Sequence, residues 1–156
     1  MAKRSAGLLI YRRMDGDIRV LLVHPGGPFW ARKDEGAWSI PKGLIDEDED
    51  ELAAARRETG EELGITVGGP FARLGDYKQP GGKIITAWSV EASTGIDVAT
   101  IKSNTFTMEW PPRSGSMKEF PEVDRVGWFS LPEAEAKLLQ GQRPMLSDLA
   151  KQLGIG

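Results

Sequence analysis

The chain contains no cysteine. That excludes disulfides, thiol nucleophiles and zinc-thiolate sites together, and it suits a reducing compartment, so a cytoplasmic location is expected. It contains a single histidine, His24, which follows a predicted strand and precedes Pro25; a structural role is expected for it rather than a catalytic one. No apolar run approaches the roughly 20 residues of a membrane-spanning helix. The first run, Ala6 to Tyr11, stops at Arg12 and Arg13 with no cleavage pattern behind it. It reads as a strand, and no membrane partner is expected. Nor is there a basic stripe. The net charge is −3, which argues against long nucleic acid as a partner.

What is present is a chain of 156 residues, 40% hydrophobic and 28% charged, the profile of one globular domain over residues 1–156. No internal repeat or linker interrupts it, and nothing in it specifies an oligomeric state. Two apolar runs, 5–11 and 18–23, flank Asp15-Gly16 and predict a β-hairpin. A loop follows from His24 through Lys33, then a short extended piece at Trp38–Ile40 leading to Pro41-Lys42-Gly43. Residues 48–63 predict the main helix, with Asp48 as N-cap, Glu51 completing a capping box and Gly64 as the stop. Strands are predicted at 71–77 and 83–91 around Pro80-Gly81-Gly82, at 104–110 and at 125–130. The stretch holding Pro111, Pro112 and Pro121 reads as a loop. Ser130, Pro132 and Glu133 open a helix, and Pro144 starts a last one ending near Leu153.

The chemistry is concentrated on the main helix. On a helical wheel Leu52, Ala55, Thr59 and Leu63 share one side, and Glu58, Glu61 and Glu62 share another. Like charges three and four residues apart repel by a few tenths of a kcal/mol per exposed pair. A cation between them reverses that cost, and hard divalent ions take several oxygen ligands. The plain alternative is a solvated acidic face, which is the reading for much of the run Asp46 to Glu51. Arg56 and Arg57 stand beside the cluster and can orient or partly neutralise it.

Gly43, Glu49 and Arg57-Glu58-Thr59-Gly60-Glu61-Glu62-Leu63-Gly64-Ile65 stand at the spacing of the Nudix box, and the segment resembles that family's loop-helix-loop signature. One position departs: Thr59 stands where the family usually has an aliphatic residue. The resemblance implies an α+β protein, an α/β/α sandwich with a mixed central sheet. It implies that Glu58, Glu61 and Glu62, with the Gly43 carbonyl, hold Mg²⁺ or Mn²⁺, and that Arg57 and Glu49 support the cluster. It further implies a hydrolase of phosphoanhydride bonds in nucleoside diphosphate-linked compounds, a pyrophosphohydrolase acting on a small nucleotide.

Trp38-Ser39-Ile40-Pro41-Lys42-Gly43 is similar to the dinucleoside polyphosphate hydrolase branch. His24 to Trp30 and Glu119 to Arg125 are similar to a generic bacterial Nudix subgroup. Diadenosine tetraphosphate is therefore the expected type of substrate. The alternatives are a nucleoside triphosphate pyrophosphohydrolase and, from another class, a non-catalytic nucleotide-binding Nudix fold. Lys42 is expected to contact phosphate, with Arg32 among further basic loop residues. Trp30 and Trp110 are the candidates for stacking on a base, against the commoner reading of aromatics as packing anchors. Outside the box, Glu122 is expected to act in proton transfer or metal binding, with Glu119 and Glu109 as competitors and His24 outside the chemistry.

Overall fold

The computed structural model describes residues 4–92, 96, 98 and 101–155. Strands β1 (Arg4–Met14) and β2 (Asp17–Pro25) form the predicted hairpin. Asp15 and Gly16 both have positive φ, 49° and 82°, the two-residue turn that an Asp-Gly pair accommodates at least cost. β1 is the spine of the sheet. It pairs antiparallel with β2 and with the short β3 (Lys42–Leu44), and parallel with β5 (Ile84–Glu91). Beyond β5 lies β4 (Phe71–Lys78), and beyond β2 lies β8 (Val123–Ser130). The order β4-β5-β1-β2-β8, with β3 on β1, is a mixed sheet as expected.

Both sheet faces are covered. Helix α1 (Glu51–Leu63) packs Ala54, Ala55 and Leu63 against Leu8, Ile10, Leu21 and Val23. Helices α2 (Leu131–Lys137) and α3 (Pro144–Gln152) cover the other face, where Leu138, Met145 and Leu149 meet Leu9, Leu22, Ile40 and Ile85. Alternate residues of β1 and β2 serve opposite cores, which is why these strands read as continuous apolar runs. The result is the expected α/β/α sandwich. Among the described residues no helix is long and apolar enough to cross a membrane.

Three sequence expectations are corrected. Helix α1 begins at Glu51, and its N-cap is Asp50, whose side chain accepts from the N–H groups of Leu52 and Ala53. Asp48 sits in a left-handed turn at φ 63°, so it cannot open the helix, and no Asp48–Glu51 capping box forms. Lys42 lies on β3 rather than on a loop. The Pro111–Pro121 stretch is not all loop: β7 (Met117–Pro121) pairs with β6 (Thr105–Glu109) in a separate ribbon. Its residues Met117-Lys118-Glu119-Phe120-Pro121 do not alternate apolar with polar, and Pro111, Pro112 and Pro121 read as loop, which hides the strand; the Phe106–Phe120 cross-strand pair, 5.9 Å between ring centres, supplies its apolar side. By contrast the Ser130–Glu133 capping box and the left-handed Gly64 stop are both present.

Candidate active site

The local fold of residues 42–63 brings the carboxylates into place. β3 is stitched to β1, and α1 returns across it, so that Gly43 and Glu58 meet. A Cβ at residue 43 would overlap the Glu58 carboxylate, and only glycine leaves that space. One helical turn further on, the Glu62 carboxylate accepts the backbone N–H of Lys42 at 3.2 Å. Arg57 braces the other flank. Its guanidinium donates to Glu49 at 2.8 and 3.0 Å, to Glu58 at 2.9 Å, to Glu61 at 3.2 Å and to the Leu44 carbonyl at 2.9 Å. The Arg57 pairs hold Glu49 at about 2, well below the usual glutamate range, and Glu49 in turn raises the Arg57 guanidinium, keeping it charged.

The helix thus divides the three glutamates that the wheel placed together. Glu58 is half-buried against Gly43, Glu62 is half-buried beside Lys42, and Glu61 is exposed and leans on Arg57. Burial raises the Glu58 carboxyl; Arg57 opposes this, while Glu61 and Glu122 add to it. Burial pushes Glu62 up to about 8, against the pull of Lys42 and with the repulsion of Glu58 and Glu122. Lys42 is lowered, first by burial and then by the charge of Lys83. Arg56 takes no part, since it stacks on Phe71 at 5.1 Å. Thr59 is 1% exposed in the α1 core, and its hydroxyl donates to the Ala55 carbonyl at 2.8 Å, so the unusual residue is internally satisfied.

Among the described residues no three carboxylates or imidazoles already converge as a coordination set; Arg57 fills the space between Glu49, Glu58 and Glu61. The donor set nonetheless fits a divalent cation. Glu58 lies in a cradle made by the missing Gly43 side chain and is repelled by Glu61 and Glu122, and Glu62 is repelled by Glu58 and Glu122, an arrangement of hard oxygen donors that a divalent cation stabilises.

Two cavities adjoin this cluster. The smaller, about 210 Å³, is lined by Lys42, Glu62, Glu122 and Trp30 with Val23 and Leu139. The larger, about 570 Å³, shares Lys42, Trp30 and Leu139 and extends to Gln79, Lys83 and Gln140. Lys42 therefore stands between the carboxylates and the larger space, and Lys33 lies over the Trp30 ring at 5.0 Å. Of the three candidate glutamates outside the box, Glu122 lines the smaller of these two cavities and Glu109 and Glu119 line neither. Glu109 instead accepts the N–H groups of Arg113 and Gly115 in the ribbon turn, and Glu119 is exposed on β7.

Arg32 and Trp110 line neither cavity. Arg32 is exposed, and Trp110 meets the exposed Phe29 edge-on at 5.5 Å. Lys83 was missed by sequence reasoning: it lies between the Pro-Gly-Gly turn and β5, and nothing in the linear order places it beside Lys42.

The sequence model described as "NUDIX domain" matches residues 1–149. A curated protein of Caenorhabditis elegans, bis(5′-nucleosyl)-tetraphosphatase [asymmetrical], is 44% identical over 66 residues, 42% of this chain and 44% of that protein. An RNA pyrophosphohydrolase of Caulobacter vibrioides is 44% identical over 55 residues, 32% of each. These matches span less than half of either relative. Among solved structures, a C. elegans Ap4A hydrolase binary complex superposes with a TM-score of 0.69 at 24% identity, covering 96% of this chain and 98% of that one. The NUDIX domain of Shewanella oneidensis NrtR complexed with ADP ribose superposes at 0.68 and 16% identity, covering 98% and 89%. At these identities the structures speak for the fold.

Proposed function

The chain belongs to the NUDIX domain family, and from that premise we propose that it is a divalent-metal-dependent pyrophosphohydrolase cleaving dinucleoside polyphosphates such as diadenosine tetraphosphate. One observation carries this reading: Lys42 stands between the carboxylate cluster and a second, larger cavity that also holds Lys83. A triphosphate ends at the cluster, whereas a substrate with a second nucleoside needs room and positive charge beyond it. The partial match to a tetraphosphatase supports the same substrate class.

In this mechanism Glu58, Glu61, Glu62 and the Gly43 carbonyl hold Mg²⁺ or Mn²⁺. When bound, the metal neutralises phosphate charge and makes water a better nucleophile. The chain's own residues do the rest. Arg57 holds Glu58 and Glu61 in place through its pairs with them and with Glu49. Lys42 and Lys83 bind the phosphate chain as point charges. Glu122 takes the proton of the attacking water as general base. Trp30, which borders both cavities, offers its face to a base.

The test is a panel of dinucleoside polyphosphates, ordinary and oxidised nucleoside triphosphates, 5′-triphosphorylated RNA, ADP-ribose and nucleotide sugars, with Mg²⁺ and with Mn²⁺. Asymmetric cleavage of diadenosine tetraphosphate to ATP and AMP is expected to have the highest kcat/KM. If a nucleoside triphosphate wins by about tenfold or more, some 1.4 kcal/mol of transition-state preference, the substrate assignment is wrong. Binding without turnover of any compound in the panel sinks the enzymatic reading altogether.

A further inference from the structure

The single histidine is fully buried, and both of its ring nitrogens face acceptors. Nδ1 of His24 lies 2.7 Å from Oδ1 of Asp124, and Nε2 lies 2.6 Å from the carbonyl oxygen of Lys33. A neutral imidazole carries one N–H and satisfies only one of them. A carbonyl has no proton to offer and must receive one. Nε2 therefore carries a proton toward the Lys33 carbonyl, and Nδ1 pairs with the Asp124 carboxyl group. The ionic groups around this pair include Arg125, whose Nε is 3.7 Å from Asp124, Lys33, whose ammonium lies over the Trp30 ring at 5.0 Å, and Asp34, which binds the Trp38 indole and Lys137.

This pair sits where the β2–β8 ladder slips. The register runs from Arg19↔Ser130 to His24↔Arg125 and then jumps to Pro25↔Val123, leaving Asp124 as the extra residue of a bulge. Bulges re-aim the side chains around them. Asp124 and Arg125 are consecutive, yet both reach toward the α2 side, Asp124 onto His24 and Arg125 over the Trp38 ring at 5.4 Å. Val123 is thereby turned to the α1 core, and Glu122 comes next on the wall of the small cavity, with its carbonyl accepting from Gly26 at 2.9 Å. A regular ladder would shift the alternation by one residue and send Val123 to the opposite face. The Lys33 carbonyl belongs to the loop that carries Trp30, so the same ring ties down a second cavity wall.

We propose that His24 is a positioning residue: bonded through its two ring nitrogens to Asp124 and to the Lys33 carbonyl, it locks the bulge that aims Glu122 into the small cavity. The proposal rests on the role given above to Glu122, and its first test is independent of turnover. With one histidine in the chain, the two-bond ¹H–¹⁵N spectrum of tag-free protein shows a single imidazole. The nitrogen facing the Lys33 carbonyl, Nε2, is expected to carry a proton in the parent protein. A bare Nε2 in the parent overturns the proposal.

The second test is kinetic. His24→Gln and Asp124→Asn are each expected to lower kcat by about tenfold or more with little change in KM, and to add nothing in a Glu122→Gln background. Asp124→Asn keeps its shape and carries this test even where His24→Gln fails to fold. Equal fold-losses in the parent and Glu122→Gln backgrounds overturn the positioning role. Full kcat in Glu122→Gln alone overturns the assignment of Glu122, and with it the role of the lock, whereas the protonation state of His24 is read separately by the spectrum.

Discussion

The carboxylate of Glu58 occupies the space that any side chain at Gly43 would need. The backbone of β3 itself tolerates a larger residue, since Gly43 does not have a positive φ. Gly43→Ala is therefore expected to fold normally while displacing Glu58. The expected outcome is a fall in kcat/KM of about tenfold or more, a loss of at least ~1.4 kcal/mol of transition-state stabilisation, with a circular dichroism spectrum like that of the parent. Parent-level turnover would show that the close approach is incidental.

Glu61 and Glu62 are separated by the fold, one exposed on Arg57 and the other half-buried beside Lys42. Both Glu61→Gln and Glu62→Gln keep shape and remove charge, so each should remain folded and lose activity by at least roughly tenfold. Excess EDTA should abolish turnover in the parent, and added Mg²⁺ or Mn²⁺ should restore it. Undiminished activity in either variant, or in EDTA, would defeat the metal-site argument.

Thr59 spends its hydroxyl on the Ala55 carbonyl within the helix. That carbonyl retains its place in the helical ladder without it, and valine has the same shape. Thr59→Val is thus expected to change stability by less than about 1 kcal/mol, in either direction. A substantially larger loss on denaturant titration would mean the hydroxyl has a function beyond satisfying itself.

Asp76 links β4 to β5 and β1. It accepts from the Thr86 hydroxyl at 2.6 Å and pairs with Arg73 at 2.8 Å and Arg4 at 3.2 Å. The Thr86 bond first, and then the two guanidinium charges, hold its carboxyl below the usual aspartate range. A depressed folded-state value contributes stability that is complete above the unfolded value, about 4, and is lost as pH falls through the folded one. The Tm of the parent should therefore exceed that of Asp76→Asn near neutrality, and the gap should close on acidification below that range. A gap that stays constant would rule out the ionic contribution.

Much of this protein was legible in one dimension because the determinants are local. Asp15-Gly16 makes its turn by its own φ preferences, Ser130 and Glu133 cap each other across one helical turn, and Glu58 and Glu62 stand one turn apart on the same helix. Local rules failed at the helix start: Asp48 reads as the cap, but it sits in a left-handed turn and Asp50 takes that role. What only the tertiary structure decided depends on pairings between distant segments. Parallel pairing of β5 with β1 brings Lys83 to the cavity of Lys42. The β2–β8 slip sets Asp124 against His24, beside Glu122 on the wall of the small cavity. Strand register between remote segments is set by which faces find a core to bury, and periodicity within each strand does not reveal where its partner slips by one residue.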